Sequence, residues 1–132
     1  MSEDAMFELK VVTRFAAAHQ LKMVAKKCEN LHGHNWKIEV CVKGDALNNA
    51  GVLMDFGEIK AGVKEIIAEI DHRFLNELNM FHEGNPPSSE NIAQYIADEL
   101  GKKIRVRGIS VSSVTAWESE DACAIYIPAA EK

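Results

Sequence analysis

An α+β fold, with a four-stranded antiparallel sheet and two helices on one of its faces, is predicted by three features of this sequence. Two stretches near the N-terminus alternate apolar and polar residues with period two. Two later stretches carry apolar residues at helical spacing behind a capping residue. Two further strand-like stretches, rich in β-branched or small residues, close the chain. The order β-β-α-α-β-β keeps helices and strands apart, which places both helices on one side of an antiparallel sheet.

The first strand is read from Phe7, Leu9 and Val11 alternating with Glu8 and Lys10. The same odd phase continues through Phe15 and Ala17 to His19. A polar loop over 22–30 follows, and a second strand is read from Trp36, Ile38, Val40 and Val42 against Lys37, Glu39 and Cys41. Asp55 and Glu58 form a capping-box pattern ahead of Ile59, Val63, Ile66, Ile67 and Ile70, a helix expected to end near Asp71-His72. Asn85-Pro86-Pro87 breaks the chain, and Ser88 or Ser89 caps a second helix with the stripe Ile92, Ile96, Leu100 and its end at Gly101. The third strand is expected over Ile104 to Thr115 with a bulge at Gly108, and the fourth over Ala122 to Ile127. A sheet this small has exposed edges, so oligomerisation through them is expected.

Composition narrows the function. The 132 residues suit one domain with an ordinary core, and no apolar run approaches the ~18 residues that span a membrane. The acidic start Met1-Ser2-Glu3-Asp4 has no hydrophobic stretch behind it, so no signal peptide is expected. Three cysteines, Cys28, Cys41 and Cys123, are an odd set that argues for free thiols in a reducing compartment, hence the cytoplasm. A net charge of −5 argues against nucleic acid as a partner while leaving room for a small anion on a local basic cluster.

Chemistry concentrates in Cys28-Glu29-Asn30-Leu31-His32-Gly33-His34. Alternate strand residues project to one face, so an extended His32–His34 presents two imidazoles together. They share the even phase of Trp36, Ile38, Val40 and Val42, and His19 ends the apolar phase of the preceding strand. Three neutral nitrogens with one open position compose a common catalytic zinc site. A lone histidine is more often packed or solvated than ligating. A His-x-His pair beside a thiol, in phase with a third histidine, favours a metal. Cys28 has two competing roles. It is a fourth ligand closing a structural site, or a thiolate acting as base or nucleophile beside the metal.

Elsewhere, Asp71-His72 offers a carboxylate able to fix an imidazole tautomer, although adjacency alone does not bond them. Glu118, in Trp117-Glu118-Ser119 between the last two strands, could accept two hydrogen bonds from an amidine-like edge. Lys22, Lys26 and Lys27, with Arg14 behind them, are the candidate cations for an anionic substrate. His82 reads as solvated, and Cys41 and Cys123 as structural.

Taken in order and spacing, six motifs resemble the 6-pyruvoyltetrahydropterin synthase family over nearly the whole chain. They are Phe15-Ala16-Ala17-Ala18-His19, Cys28-x-x-x-His32-Gly33-His34, Val52-Leu53-Met54-Asp55-Phe56, Asp71-His72-Arg73-Phe74-Leu75-Asn76, Pro87-Ser88-Ser89-Glu90-Asn91 and Trp117-Glu118-Ser119. The resemblance implies one tunnelling-fold (T-fold) domain over 1–132 that assembles as a homohexamer, a dimer of trimers, with active sites between subunits. It implies Zn2+ on His19, His32 and His34, a catalytic thiol at Cys28, and an Asp71-His72 proton relay from a neighbouring subunit. Glu118 is implied as the pterin anchor and 7,8-dihydroneopterin triphosphate as substrate. The three residues between Cys28 and His32 resemble the 6-carboxy-5,6,7,8-tetrahydropterin synthase branch of queuosine biosynthesis, whose products are 6-carboxytetrahydropterin, acetaldehyde and triphosphate. The alternatives are the pyruvoyl product and, in a different class, a noncatalytic domain whose structural zinc is held by one cysteine and three histidines. A zinc hydrolase with three histidine ligands ranks below both, since it leaves Cys28 and Glu118 without roles.

Overall fold

In the computed structural model, which describes residues 5–21 and 31–130, the N-terminal hairpin dominates. Strands β1 (Phe7–His19) and β2 (His32–Gly44) pair antiparallel from Phe7↔Gly44 to His19↔His32. A two-residue β3 (Arg73–Phe74) lies parallel to β1 at Ala17 and Ala18. Strand β4 (Ser110–Ser119) pairs with the other side of β2, and β5 (Ala122–Tyr126) pairs with β4. The sheet order is β3-β1-β2-β4-β5. Among the described residues, the expected sheet of four antiparallel strands is thus a mixed sheet of five. The extra strand arises where the chain leaves the first helix and runs beside the end of β1.

Helix α1 (Phe56–Ala68) begins where Asp55 accepts a hydrogen bond from the Gly57 N–H at 2.8 Å. It ends at Ala68, before Asp71-His72, because the chain must turn to reach β1. Helix α2 (Ser89–Lys103) begins at Ser88, whose Oγ accepts from the Asn91 N–H. It runs two residues past Gly101, with Lys102 and Lys103 in its last turn, where positive charge suits the helix dipole. Both helices bury their apolar stripes in one cluster with Val11, Phe15 and Ala17 of β1, Trp36, Ile38, Val40 and Val42 of β2, and Val114 and Ala116 of β4. Neither is long and apolar enough to cross a membrane.

The last two strands are displaced from expectation. Residues 104–109 are not strand, and Gly108 (φ 82°) sits in the turn ahead of β4, a left-handed conformation that glycine takes without steric cost. The irregularities fall within β4 itself. Its register against β2 shifts beside Ser112, and its register against β5 shifts at Glu118. The Trp117-Glu118-Ser119 motif therefore lies in a strand rather than between strands.

Gly44, at the end of β2, is hemmed in. A methyl group there would lie 2.6 Å from Leu53 Cδ1 and 3.0 Å from the Gly108 carbonyl oxygen. The leucine can rotate away, but the carbonyl belongs to the backbone. Gly44→Ala should therefore lose about 1–3 kcal/mol of stability, the usual cost of overpacking, in urea denaturation followed by circular dichroism.

Candidate metal centre and active site

His19 is the last residue of β1 and is fully buried. Its Nδ1 lies 2.8 Å from the Pro87 carbonyl oxygen at the entrance to α2. A carbonyl can only accept, so Nδ1 carries the proton and donates, and Nε2 points away with its lone pair. His34 comes from β2, opposite Ala17 and diagonal to His19, with ring centroids 5.0 Å apart. Trp36, also fully buried, stands edge-on to both imidazoles at 5.3 Å and lies parallel to Phe15. Aromatic packing thus fixes both rings from behind.

Glu118 completes the cluster. It follows Val114 and Ala116 on the inward phase of β4. The pairs Trp117↔Cys123 and Ser119↔Ala122 leave it as one extra residue on its strand. A bulge of this kind re-aims a side chain. Glu118 Oε1 lies 3.0 Å from His19 Nε2 and 3.2 Å from His34 Nε2. With Nδ1 of His19 donating to Pro87, the facing Nε2 and carboxylate oxygen both present lone pairs. Such a contact calls for a cation, either a proton or a metal ion.

The ligand atoms of His19, His34 and Glu118 all lie within 4.8 Å of one another. Imidazole nitrogens and a carboxylate oxygen are ordinary zinc ligands, and a ligating histidine commonly donates its other N–H to a backbone carbonyl, as His19 does. The residues present therefore fit a bound divalent metal. His32 opens β2 opposite His19, but its side chain lies outside those described. Cys28, Lys22, Lys26 and Lys27 also lie outside the described residues.

Asp71 and His72 do bond to each other. His72 adopts a left-handed backbone (φ 60°), uncommon for a residue with a side chain and a mark of a constrained turn. Its N–H donates to the Ala16 carbonyl at 2.6 Å. Asp71 Oδ1 accepts from the Ala16 N–H at 3.0 Å and stands 2.9 Å from His72 Nδ1. The Ala16 N–H holds the Asp71 carboxyl below its ordinary value, helped by His72 and opposed by partial desolvation. The His72 ring is 81% exposed. Together with His34, Gly33 and Ala16–Ala18 it lines an open cavity of about 500 Å³.

Arg14 lies on the opposite sheet face, lining a cleft of about 530 Å³ with Lys37, Trp117 and Ser119. Cys41 is buried and Cys123 exposed, both as free thiols. His82 is exposed, as expected, and its Nδ1 accepts from the Gly84 N–H. Sequence reasoning missed the Pro87 carbonyl and the Ala16 N–H, because main-chain groups carry no residue-type signal. The Pro86-Pro87 pair was the only hint, since two residues without N–H donors leave their carbonyls to be used.

A carboxyl whose folded value is depressed adds stability above its unfolded value, and loses that contribution as pH falls through the folded one. Asp71→Asn should therefore flatten the acid-side fall in thermal midpoint below Asp71's ordinary value of about 3.8, and leave the neutral-pH slope unchanged, in melts run from pH 6 to pH 2.

Comparison with known proteins fits this geometry. The family model for 6-pyruvoyl tetrahydropterin synthase matches residues 8–129. A protein of Archaeoglobus fulgidus that provisionally bears the name 6-carboxy-5,6,7,8-tetrahydropterin synthase is 40% identical over 111 residues, covering 84% of this chain and 87% of that one. The 6-carboxy-5,6,7,8-tetrahydropterin synthase of Aquifex aeolicus is 32% identical, with 76% and 75% covered. A Pyrococcus furiosus dihydroneopterin monophosphate aldolase is 33% identical, with 81% and 85% covered. The solved structure of Caenorhabditis elegans 6-pyruvoyl tetrahydropterin synthase superposes with a TM-score of 0.79 over 98% of this chain and all of that one, at 22% identity, a likeness of fold. This chain belongs to the 6-pyruvoyl tetrahydropterin synthase family and is a lyase-type enzyme of that family.

Proposed function

We propose that this protein is a zinc-dependent 6-carboxy-5,6,7,8-tetrahydropterin synthase acting on 7,8-dihydroneopterin triphosphate in queuosine biosynthesis. The observation that carries the reading is the convergence of His19 Nε2 and His34 Nε2 on one carboxylate oxygen. The Cys28-x-x-x-His32 spacing and the names of the Archaeoglobus and Aquifex relatives support the carboxy branch. His19, His32 and His34 would hold the metal. When bound, zinc would supply Lewis-acid polarisation of the substrate's side-chain hydroxyls.

The chain's own groups handle protons and orientation. Cys28, as thiolate, removes a proton from the activated side chain. His72 transfers the second proton, its ring oriented by the Asp71 carboxylate at Nδ1. The exposure of that ring leaves it free to meet substrate. Glu118 accepts hydrogen bonds from the pterin's amino and ring N–H edge. Lys22, Lys26 and Lys27 neutralise the triphosphate. The protein works as a cytoplasmic single-domain enzyme, in a hexamer of two stacked trimers.

The Pyrococcus relative favours one second reading, an aldolase acting on a dihydroneopterin monophosphate. The same proton-moving groups suit carbon–carbon cleavage of a hydroxylated side chain. Incubation with each phosphate ester, followed by mass spectrometry of the pterin and of small carbonyl products, separates the readings. The carboxy reading expects 6-carboxytetrahydropterin with acetaldehyde from the triphosphate. A pyruvoyl product without acetaldehyde, or turnover of the monophosphate alone, would refute it. Cys28→Ala should keep zinc by metal analysis and lose at least about 100-fold in kcat, the scale of general-base catalysis.

Gly33 gives a second check. Its backbone needs no glycine, and a methyl there would meet nothing nearer than the Ala17 carbonyl at 3.9 Å. Glycine within a strand otherwise marks close approach by a ligand or another backbone. Gly33→Ala should hold or raise the melting temperature while raising KM.

A further inference from the structure

The Pro87 carbonyl that fixes His19 lies in a segment with few means of holding itself in place. Pro86 and Pro87 have no N–H, so no ladder can bind their donors. Two bonds converge on the Pro86 carbonyl instead. The Ser88 N–H donates to it at 2.8 Å, closing a three-residue turn over Pro87, and Asn91 Nδ2 donates to it at 2.8 Å. Asn91 is the third residue of α2, where a capping box ordinarily has Glu or Gln reaching back to a backbone N–H. Here the group to be reached is a carbonyl, so the side chain must donate, as the Asn91 amide does.

We infer that Asn91, which is not itself one of the grouped ligands, is a positioning residue that sets the metal affinity of the site. By locking the Pro86 peptide it aims the Pro87 carbonyl at His19 Nδ1. That bond holds the ring in the tautomer whose Nε2 lone pair faces His34 and Glu118. The chain of contacts is continuous: Asn91 Nδ2 to Pro86 O, the turn from Pro86 to Ser88, then Pro87 O to His19 Nδ1 at 2.8 Å. The inference rests on the reading of His19 as a metal ligand.

Asn91→Asp isolates the clamp from the helix. The shape is kept, but a carboxylate now faces the Pro86 carbonyl, acceptor against acceptor. The Ser88 cap uses the Asn91 backbone N–H and is untouched. A carboxylate in the first turn of a helix is favoured by its dipole, which offsets part of the lost hydrogen bond, so the metal-free variant should still fold cooperatively and melt within a few degrees of the natural protein. Its zinc affinity, measured by competition with a chromophoric chelator, should fall about tenfold, the scale for groups that orient a ligand. Imidazole nitrogen NMR of the metal-free proteins should show His19 protonated at Nδ1 in the natural protein and in mixed tautomers in N91D.

Unchanged zinc affinity in N91D overturns the inference, as does a His19 that carries its proton on Nε2 in the natural protein. His19→Ala controls the reading beneath it. Weakened zinc in H19A with unchanged zinc in N91D sinks the clamp alone. Zinc held as tightly in H19A as in the natural protein removes His19 as a ligand, and the clamp's purpose with it.

Discussion

Thirteen consecutive residue pairs join β1 to β2, and no bulge interrupts them. Everything in the site depends on that uninterrupted register. Side chains alternate with period two, so a slip of one residue on either strand would turn that strand's histidine out of the core and its charged neighbours in. The inward row Val11, Phe15, Ala17 against Val40, Trp36 and the half-buried His34 prevents such a slip, because each member is apolar or packed against an aromatic ring. Hydrophobic burial far from the reacting groups thus places the imidazoles.

This dependence explains which parts were legible in the sequence. The first two strands could be read nearly to the residue, and His19 and His34 on one face with them, since the pattern that specifies a half-buried strand also specifies its inward side chains. The helix starts were readable from Asp55 and Ser88 for a similar reason, as capping is local chemistry. Legibility fell where the decisive partner was distant or was main chain. Nothing near Asp71 announces that Ala16, 55 positions earlier, will satisfy its carboxylate and draw a fifth strand beside β1. Nothing near Glu118 announces a bulge, because a bulge is a relation between two strands and leaves its own residue type unconstrained.

The candidate site divides labour between rigid and turned elements. The imidazoles come from strand ends backed by Trp36 and Phe15. The carbonyl that orients His19 comes from just ahead of α2, and the Asp71-His72 pair from the turn after α1. Each helix therefore contributes through the segment that flanks it, the Pro86-Pro87 run just ahead of α2 and the turn just after α1. Sheet and helices meet at the chemistry as well as in the core.

The grip of Asp71 and His72 on Ala16 also has a bearing on the outer border of β1. Ala16 spends both its N–H and its C=O on that turn, so the border is sealed at the end nearest the histidines. By strand alternation, the remaining outward-facing main-chain groups belong to Glu8, Lys10, Val12 and Arg14. Three of those four side chains are charged, an arrangement that discourages promiscuous strand addition. Any chain docking along this border must start short of Ala16 and bring charges to match. The same turn that builds the proton relay thereby limits where, and with what, the sheet can be extended.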